Sequence, residues 1–256
     1  MAVTIIEVNA DNVEEYGFFC VKNKKHAGYP AKAAWLAERF REGLKIQLLH
    51  STEGKPLGFI EYTPSEYAWR GVHLSEYLFI HCIYVSSRKD REQGQASRLL
   101  QRCIDDARQN NKKGVVMLTS DGGWLASQDI FVKNGFQVAD TLPHGYQLMV
   151  YRLDKSPLPK FAADRKQRLQ PYQEGFYLLY ANQCPFHRQS VKAIEEVAQQ
   201  YGYLVKVIEL TSAADAQQAP SPFGVFNLIY NGQLIAEHYI SATRFRNILT
   251  KELKLG

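Results

Sequence analysis

Cysteine is scarce in this sequence, and its spacing excludes the usual metal and dithiol sites. The four cysteines (Cys20, Cys82, Cys103 and Cys184) are widely scattered, and they form neither a C-x-x-C pair nor a Cys/His pattern with the spacing of zinc ligands. Cysteines used in this way are typical of a reducing compartment. We therefore expect a cytoplasmic protein with reduced thiols and no bound metal.

Long apolar runs and a dominant charge are also missing. No stretch approaches the roughly 20 residues of a transmembrane helix, and the start, MAVTIIEVNADN, has neither the basic nor the apolar region of a signal peptide. The net charge of +5 suits a polyanionic ligand but is weak for a chain of 256 residues, and the aromatic residues lie mostly in apolar runs. We expect neither a membrane partner nor a nucleic-acid partner.

The composition and length are those of an ordinary globular protein. Hydrophobic residues make up 45% of the chain and charged residues 22%. A chain of 256 residues can hold one large domain or two ordinary ones, each with its own core.

The most informative stretch runs from residue 78 to residue 110. Residues 78–85 are apolar and predict a buried strand, and a helix follows whose apolar residues repeat at helical spacing. Between them lies a basic loop that contains Gly94. A strand that leads through such a loop into a helix N-terminus builds an anion site, because the first helical amides have no partner within the helix. The loop contains neither the three glycines of a dinucleotide site nor the Gly-Lys-Ser/Thr of a P-loop.

The surrounding pattern alternates strands and helices. Apolar periodicity, turn residues and helix caps predict elements in the order β-α-α-β-β-β-α-β-α-β-β. The predicted strands are residues 4–8, 46–50, 57–62, 78–85, 114–119, 136–139 and 146–153. The predicted helices are 13–19, 31–42, 124–134 and the one after the basic loop, whose apolar positions run from 99 to 107.

The basic loop and the element order resemble the GNAT superfamily of N-acetyltransferases. The pattern R-x-x-G-x-A, formed by Arg91–Ala96, resembles the loop that binds the pyrophosphate of acyl-CoA, and IFVKNGF at residues 130–136 resembles a second motif of that family. The resemblance covers roughly residues 2–153. It implies an α/β fold, a mixed central sheet flanked by helices, with acetyl-CoA as co-substrate.

The resemblance also implies which residues contact acetyl-CoA. Backbone groups of the strand would bind the pantetheine arm, and the loop would bind the pyrophosphate. Arg91 lies six positions after Val85 where the family has five, so either the loop bulges or Arg88 shares the role. The implied contact residues are Ile83, Tyr84, Val85, Arg88, Arg91, Glu92, Gln93, Gly94, Gln95, Ala96 and Ser97.

The general base is less clear from the sequence. Many relatives carry a glutamate where this chain has Phe79, whereas His81 resembles the base histidine of the arylalkylamine members. An imidazole titrates near neutral pH and so suits this role, although a half-buried structural histidine explains His81 equally well. Glu61 on the adjacent strand and Glu76 just before the strand are the other candidates.

The usual general acid is missing. Phe131 stands where the family has a tyrosine, and phenylalanine cannot donate a proton. Either Tyr84, Tyr146 or another hydroxyl replaces it, or solvent protonates the leaving thiolate.

The sequence pattern changes after residue 153. Residues 154–174 predict a linker, with two prolines near its start (Pro157 and Pro159) and a short predicted helix at 161–169, and residues 175–256 begin a new α/β pattern. That pattern resembles the thioredoxin/glutaredoxin fold, with Cys184 before a helix and Pro222 as its expected cis-proline. Since His187 takes the place of the second cysteine of C-x-x-C, only monothiol chemistry would remain. We therefore predict domains at 1–153 and 175–256.

Two functions follow from these resemblances. The first is an N-acetyltransferase that moves the acetyl group of acetyl-CoA to a primary amine of a small molecule or peptide. The second is a thiol-redox or thiol-binding protein that acts through Cys184 and binds acyl-CoA without turnover. An acetyltransferase with such a tail also resembles a bacterial family of the YoaP type, which names no acceptor. A homodimer is left open.

Overall fold

The computed structural model describes residues 3–21 and 23–255, and it describes the backbone alone at Arg88 and His144. The described residues form two compact units. Unit 1 contains the described residues of Met1–Lys22 together with Leu36–Ala68 and Val72–Phe161, and unit 2 contains Asn23–Trp35, Trp69–Gly71 and the described residues of Ala162–Gly256.

Two short segments from the first half of the chain therefore belong to unit 2. The predicted division into 1–153 and 175–256 assigned both segments to the first domain. Hydrogen bonds within unit 2 account for the difference. The amide of Gly71 donates to the carbonyl of Pro222 at 3.0 Å, and the Arg70 guanidinium donates to Oε1 of Gln183 at 2.7 Å.

Unit 1 is built on a mixed seven-stranded sheet. The strand order is β1-β2-β3-β4-β5-β7-β6, and each neighbouring pair is antiparallel except β4 and β5, which are parallel. This architecture confirms the predicted α/β fold with a mixed central sheet. The strands are β1 (Val3–Val8), β2 (Lys45–Ser51), β3 (Pro56–Pro64), β4 (Tyr77–Val85), β5 (Gly114–Thr119), β6 (Gln137–Thr141) and β7 (Gln147–Arg152).

The helix after β4 packs its apolar face on this sheet. Every apolar residue that predicted the helix is buried in one core with side chains of β3, β4 and β5. The helices in this half of the chain are α1 (Val13–Tyr16), α2 (Tyr29–Arg41), α3 (Arg88–Glu92), α4 (Gln95–Gln109) and α5 (Gln128–Lys133). The buried apolar residues of α4 are Leu99, Leu100, Cys103, Ile104 and Ala107.

One helix was not predicted, and two others differ from their predicted bounds by three residues or more. The basic turn after β4 contains the one-turn helix α3, because Ser87 caps it by accepting from the amide of Asp90. Helix α5 begins four residues later than predicted, where Ser127 accepts from the amide of Asp129. Helix α1 ends at Tyr16 because Gly17 adopts a φ of 69°.

Unit 2 contains a four-stranded sheet in the order β11-β10-β8-β9. Strands β8 and β9 are parallel, and the other pairs are antiparallel. The strands are β8 (Phe176–Tyr180), β9 (Val205–Glu209), β10 (Phe226–Tyr230) and β11 (Gln233–Ala236), and the helices are α6 (His187–Gln200), α7 (Ala213–Gln217) and α8 (Ala242–Asn247).

Two local predictions for unit 2 were wrong. The helix predicted at residues 161–169 is a 3-10 helix at Gln167–Tyr172. The expected cis-proline at Pro222 is also wrong, because no cis peptide bond occurs among the described residues. The amide of Ser221, the residue before Pro222, donates a hydrogen bond to Oδ1 of Asn227. None of the described helices could span a membrane.

Candidate active site

An opening in the unit 1 sheet lies between β4 and β5. The two strands pair from Tyr77 and Gly114 to Ile80 and Met117, and the pairing then stops although both strands continue. Strand β5 stays paired with β7 up to Thr119, so β4 is the strand whose edge is released. Residues 81–85 of β4, which include the three predicted pantetheine contacts, therefore present an edge of backbone groups to the opening.

A β-bulge in β4 begins at the same level. Glu61 of β3 lies opposite Cys82, and the next residue, Tyr62, lies opposite Ile80, so His81 is an extra residue in β4. A bulge of this kind turns the strand and resets the alternation of its side chains. Ile83 consequently packs in the core beneath α4.

The bulge brings two predicted base candidates together. Nδ1 of His81 lies 3.2 Å from Oε1 of Glu61, and both residues are almost fully buried, at 1% and 2% exposure. A carboxylate can only accept a hydrogen bond, so the imidazole donates through Nδ1 and Nε2 is left as its basic nitrogen. A proton taken up at Nε2 would make His81 an imidazolium, and the negative Glu61 carboxylate would balance its positive charge.

The start of α4 leaves backbone amides open for the predicted anion site, but fewer of them than the sequence predicted. The amides of Gln93 and Gly94 donate to the carbonyls of Lys89 and Arg91 within the turn. No side chain caps α4, so the first amides without a helical acceptor are those of the three residues after Gly94. Glu92 lies inside α3 and is no longer a loop residue.

The space beside this helix end is open. Gly94 has a φ of 74°, and a Cβ built on it would meet no atom within 4 Å. The side chain of Gln95 is buried, and its Oε1 has no hydrogen-bond partner among the described residues. An uncapped positive helix end, open space and an unused buried polar atom fit a phosphate-bearing co-substrate.

Arg91 lies between the anion site and the opening. Its Nη1 donates to the carbonyl of Val85 at 3.2 Å, which ties the α3 turn to the end of β4. The side chain of Arg88, the other predicted cation, lies outside the described residues.

The remaining predicted catalytic residues lie in different places. Glu76 forms an ion pair with Lys113 at the beginning of β4, five residues and roughly 16 Å along the strand from His81. The structure does not bring Glu76 to the opening. Tyr84 is half exposed. Phe131, whose phenyl ring has no acidic proton, is fully buried in the core.

An aromatic cluster that the sequence did not reveal surrounds Tyr84. The ring of Phe19 stacks on Phe59 at 5.2 Å between centroids and lies 6.1 Å from Tyr84. Phe59 lies directly opposite Tyr84 in the β3–β4 ladder, and Glu61 lies two residues further along β3 on the same face. The hairpin register alone could have placed Phe59 there, but the position of Phe19 depends on a loop with a positive φ.

The predicted thiol residues lie at the start of α6 in unit 2. Cys184 is partly exposed, whereas His187 is completely buried, with Nδ1 bonded to the carbonyl of Ala181 at 2.8 Å. Burial lowers the pKa of His187 to about 4, and the nearby positive charges of Arg70 and Lys32 act in the same direction. His187 is therefore neutral at pH 7 and offers no positive charge to a Cys184 thiolate.

Comparison with known proteins decides the family. The model of the acetyltransferase (GNAT) family matches residues 9–136, which is half of the 256 residues. The chain belongs to this family. It is an acyltransferase that uses acetyl-CoA as co-substrate. A second family model, described as YoaP-like, matches residues 205–247 of this GNAT protein.

Similar proteins cover the GNAT part or nearly the whole chain. The uncharacterized N-acetyltransferase YoaP of Bacillus subtilis (strain 168) is 27% identical over 249 residues, which cover 95% of this chain and 97% of that protein. A GNAT acetyltransferase from Staphylococcus aureus Mu50 is 16% identical with a TM-score of 0.44, covering 60% of this chain and 100% of that one. The GNAT protein YhbS from Escherichia coli, solved in complex with CoA, is 16% identical with a TM-score of 0.42. The match covers 62% of this chain and 89% of that one.

Proposed function

We propose that this GNAT protein is an N-acetyltransferase in which a primary amine attacks acetyl-CoA directly within a ternary complex. The buried pair of Glu61 and His81, at the point where β4 leaves β5, carries the proposal. A protonated amine cannot attack a thioester, so a base beside the acyl group is the chemical requirement of this reaction. The acceptor would be a small molecule or a peptide.

Each part of the site has a role in this proposal. The amides of residues 95–97 and the guanidinium of Arg91 would hold the pyrophosphate, and the edge of β4 would hold the pantetheine arm. His81 would receive the amine proton through Nε2 while Glu61 stabilises the imidazolium. Tyr84, half exposed on the face of Glu61, is the hydroxyl best placed to protonate the leaving thiolate; otherwise solvent does so.

The proposal is tested by measuring the release of the CoA thiol with a panel of primary amines. We expect Glu61→Gln and His81→Asn to lower kcat by about 10² to 10⁴, the usual contribution of a general base, while Kd for acetyl-CoA stays unchanged. Glu76→Gln is the matched control, because this carboxylate lies far from the opening. Full activity in both Glu61→Gln and His81→Asn would contradict the assignment.

The thiol alternative has less support. The strand order of unit 2 and the position of Cys184 before α6 agree with a thioredoxin-like domain, whereas the neutral His187 does not assist thiol chemistry. We infer that Cys184 takes no part in acetyl transfer. Cys184→Ala should retain the kcat of the unaltered chain, and a loss of transfer in this variant would return the thiol to the mechanism.

We also propose a cytoplasmic location in a bacterium. The relative from Bacillus subtilis matches nearly the whole chain, and the four cysteines are all free thiols, which supports a reducing compartment. The homodimer stays a prediction, and light scattering of the purified chain would test it.

A further inference from the structure

A thiol lies beside the base pair on the face of the sheet that carries Glu61. Cys82 is directly opposite Glu61 in the β3–β4 ladder, and side chains in such a pair have Cβ atoms about 5 Å apart. His81 precedes Cys82 in the bulge and bonds the same carboxylate. Cys82, His81 and Glu61 therefore form a cluster of nucleophile, base and carboxylate, the combination that activates cysteine in other enzymes.

The cluster lies where an acyl group would arrive. Cys82 follows the last β4 residue that pairs with β5 by two positions, so it belongs to the released edge of the strand. His81 and Glu61 are almost fully buried, but Cys82 is partly exposed and accessible to a bound thioester.

We propose that Cys82 accepts the acetyl group of bound acetyl-CoA when no amine is present, so that the chain acetylates itself at this position. The proposal rests on the proposed function, because it uses the same acyl site and the same base. It adds a covalent modification site and a second acceptor, a thiol, to the amine acceptor.

The exchange of one thioester for another needs no oxidant or further reactant. The Glu61–His81 pair removes the proton of Cys82, and its sulfur attacks the acetyl carbonyl carbon. The bond from that carbon to the sulfur of CoA then breaks. The leaving CoA thiolate takes the proton from His81, and the products are S-acetyl-Cys82 and CoA with a free thiol.

The other cysteines provide internal controls. Cys20 and Cys184 are partly exposed like Cys82, but neither lies opposite Glu61 in the β3–β4 ladder. Cys103 is fully buried, and burial raises the pKa of its thiol well above the usual value. If exposure alone determined which thiols react, three cysteines would become acetylated. The proposal predicts acetylation of Cys82 only.

The test is mass spectrometry of the full chain after incubation with acetyl-CoA and no amine. We expect one added acetyl group on the Cys82 peptide, removed by neutral hydroxylamine as a thioester is. The adduct should be absent in Cys82→Ser and present in Cys20→Ser and Cys184→Ser. In His81→Asn it should form at least about tenfold more slowly, as expected when a general base is lost.

Calorimetric binding of acetyl-CoA to the same samples separates the two proposals. Binding without an adduct at Cys82 would overturn the self-acetylation and leave the proposed function intact. An equal adduct on Cys20 or Cys184, or one that also forms in the urea-unfolded chain at the same rate, would overturn it too. An absence of binding would count against the proposed function itself.

Discussion

At the scale of single residues, one extra residue in β4 determines which side chains reach the opening. His81 has no partner position on β3, and this bulge turns Cys82 toward Glu61 while it turns Ile83 into the core. A strict alternation of side chains would have buried Cys82 in place of Ile83. The chemistry of the site thus depends on a backbone irregularity as much as on the residue types.

Gly94 provides a test of the anion site. In Gly94→Val, the branched side chain would project into the open space beside α4, and we expect the Kd for acetyl-CoA to rise at least about tenfold, or about 1.4 kcal/mol. Gly54→Val is the matched control, because Gly54 has a φ of 75° and equally open surroundings in the β2–β3 turn. Both variants carry the same backbone strain, so an equal loss of affinity in the two would contradict the anion site.

His187 predicts how stability depends on pH. Its Nδ1 is bonded and its buried Nε2 has no partner among the described residues, so protonation would leave an unpaired cation in the core. The folded pKa of about 4 lies below the unfolded value of 6.5, so the unfolded chain binds more protons between these values. The free energy of unfolding should be constant above pH 6.5 and fall by about 3 kcal/mol as the pH drops to 4.

Urea unfolding followed by far-UV circular dichroism at several pH values measures this dependence. In His187→Asn the side-chain amide nitrogen takes the position of Nδ1 and keeps a donor for the Ala181 carbonyl, so the decline between pH 6.5 and 4 should shrink. An unchanged decline in His187→Asn would show that another group causes it.

At the scale of elements, a buried polar network fastens α4 to the sheet. The hydroxyl of Tyr62 donates to Asp106 of α4 at 3.0 Å, and Lys45 bonds the same carboxylate. Burial raises the pKa of Tyr62, so its hydroxyl stays protonated and remains a donor. Helix α4, whose first turn is the proposed anion site, is therefore held by hydrogen bonds as well as by its apolar face.

The segment before α2 fits closely into unit 2, and Gly28 tests this fit. A Cβ at Gly28 would lie 1.8 Å from the carbonyl oxygen of Pro185, a contact that only a backbone shift could relieve. Gly28→Ala should lower the free energy of unfolding by about 1 to 3 kcal/mol in urea titrations. Gly123→Ala, where the new Cβ meets nothing within 4 Å, should change it by less than about 0.5 kcal/mol. Equal stability of the two variants would contradict the close fit.

Elements with strong local signals could be predicted from the sequence. The buried stripe of α4 and the apolar strand β5 follow from periodicity, and the β2–β3 hairpin follows from its turn residues. The helix α3 was missed because charged residues dominate it, and the late start of α5 depends on a cap at Ser127 rather than on apolar spacing.

The candidate site could be predicted only in part. Residue types selected His81 and Glu61, but no local signal marks a bulge, so their contact and the orientation of Cys82 depend on strand register. Glu76 resembled a base in sequence, yet pairing with Lys113 keeps it at the other end of β4. Long-range contacts such as these are outside the reach of periodicity.

At the scale of the whole molecule, the chain combines a GNAT unit with a second α/β unit to which two segments of the first half contribute. The nearly complete match to the Bacillus subtilis relative covers both parts. Unit 1 contains the opening in the sheet, the Glu61–His81 pair and the proposed anion site. We therefore expect acetyl-CoA binding to depend on Arg91 of unit 1 and to be independent of Cys184 in unit 2.

A calorimetric titration of acetyl-CoA into the full chain tests this account most directly, beside the variants Arg91→Glu and Cys184→Ala. The account predicts saturable binding to the unaltered chain, the same affinity in Cys184→Ala, and binding weakened at least about tenfold in Arg91→Glu, where a negative charge would face the pyrophosphate. If the unaltered chain does not bind acetyl-CoA, or if Arg91→Glu binds it equally well, the proposed site is contradicted.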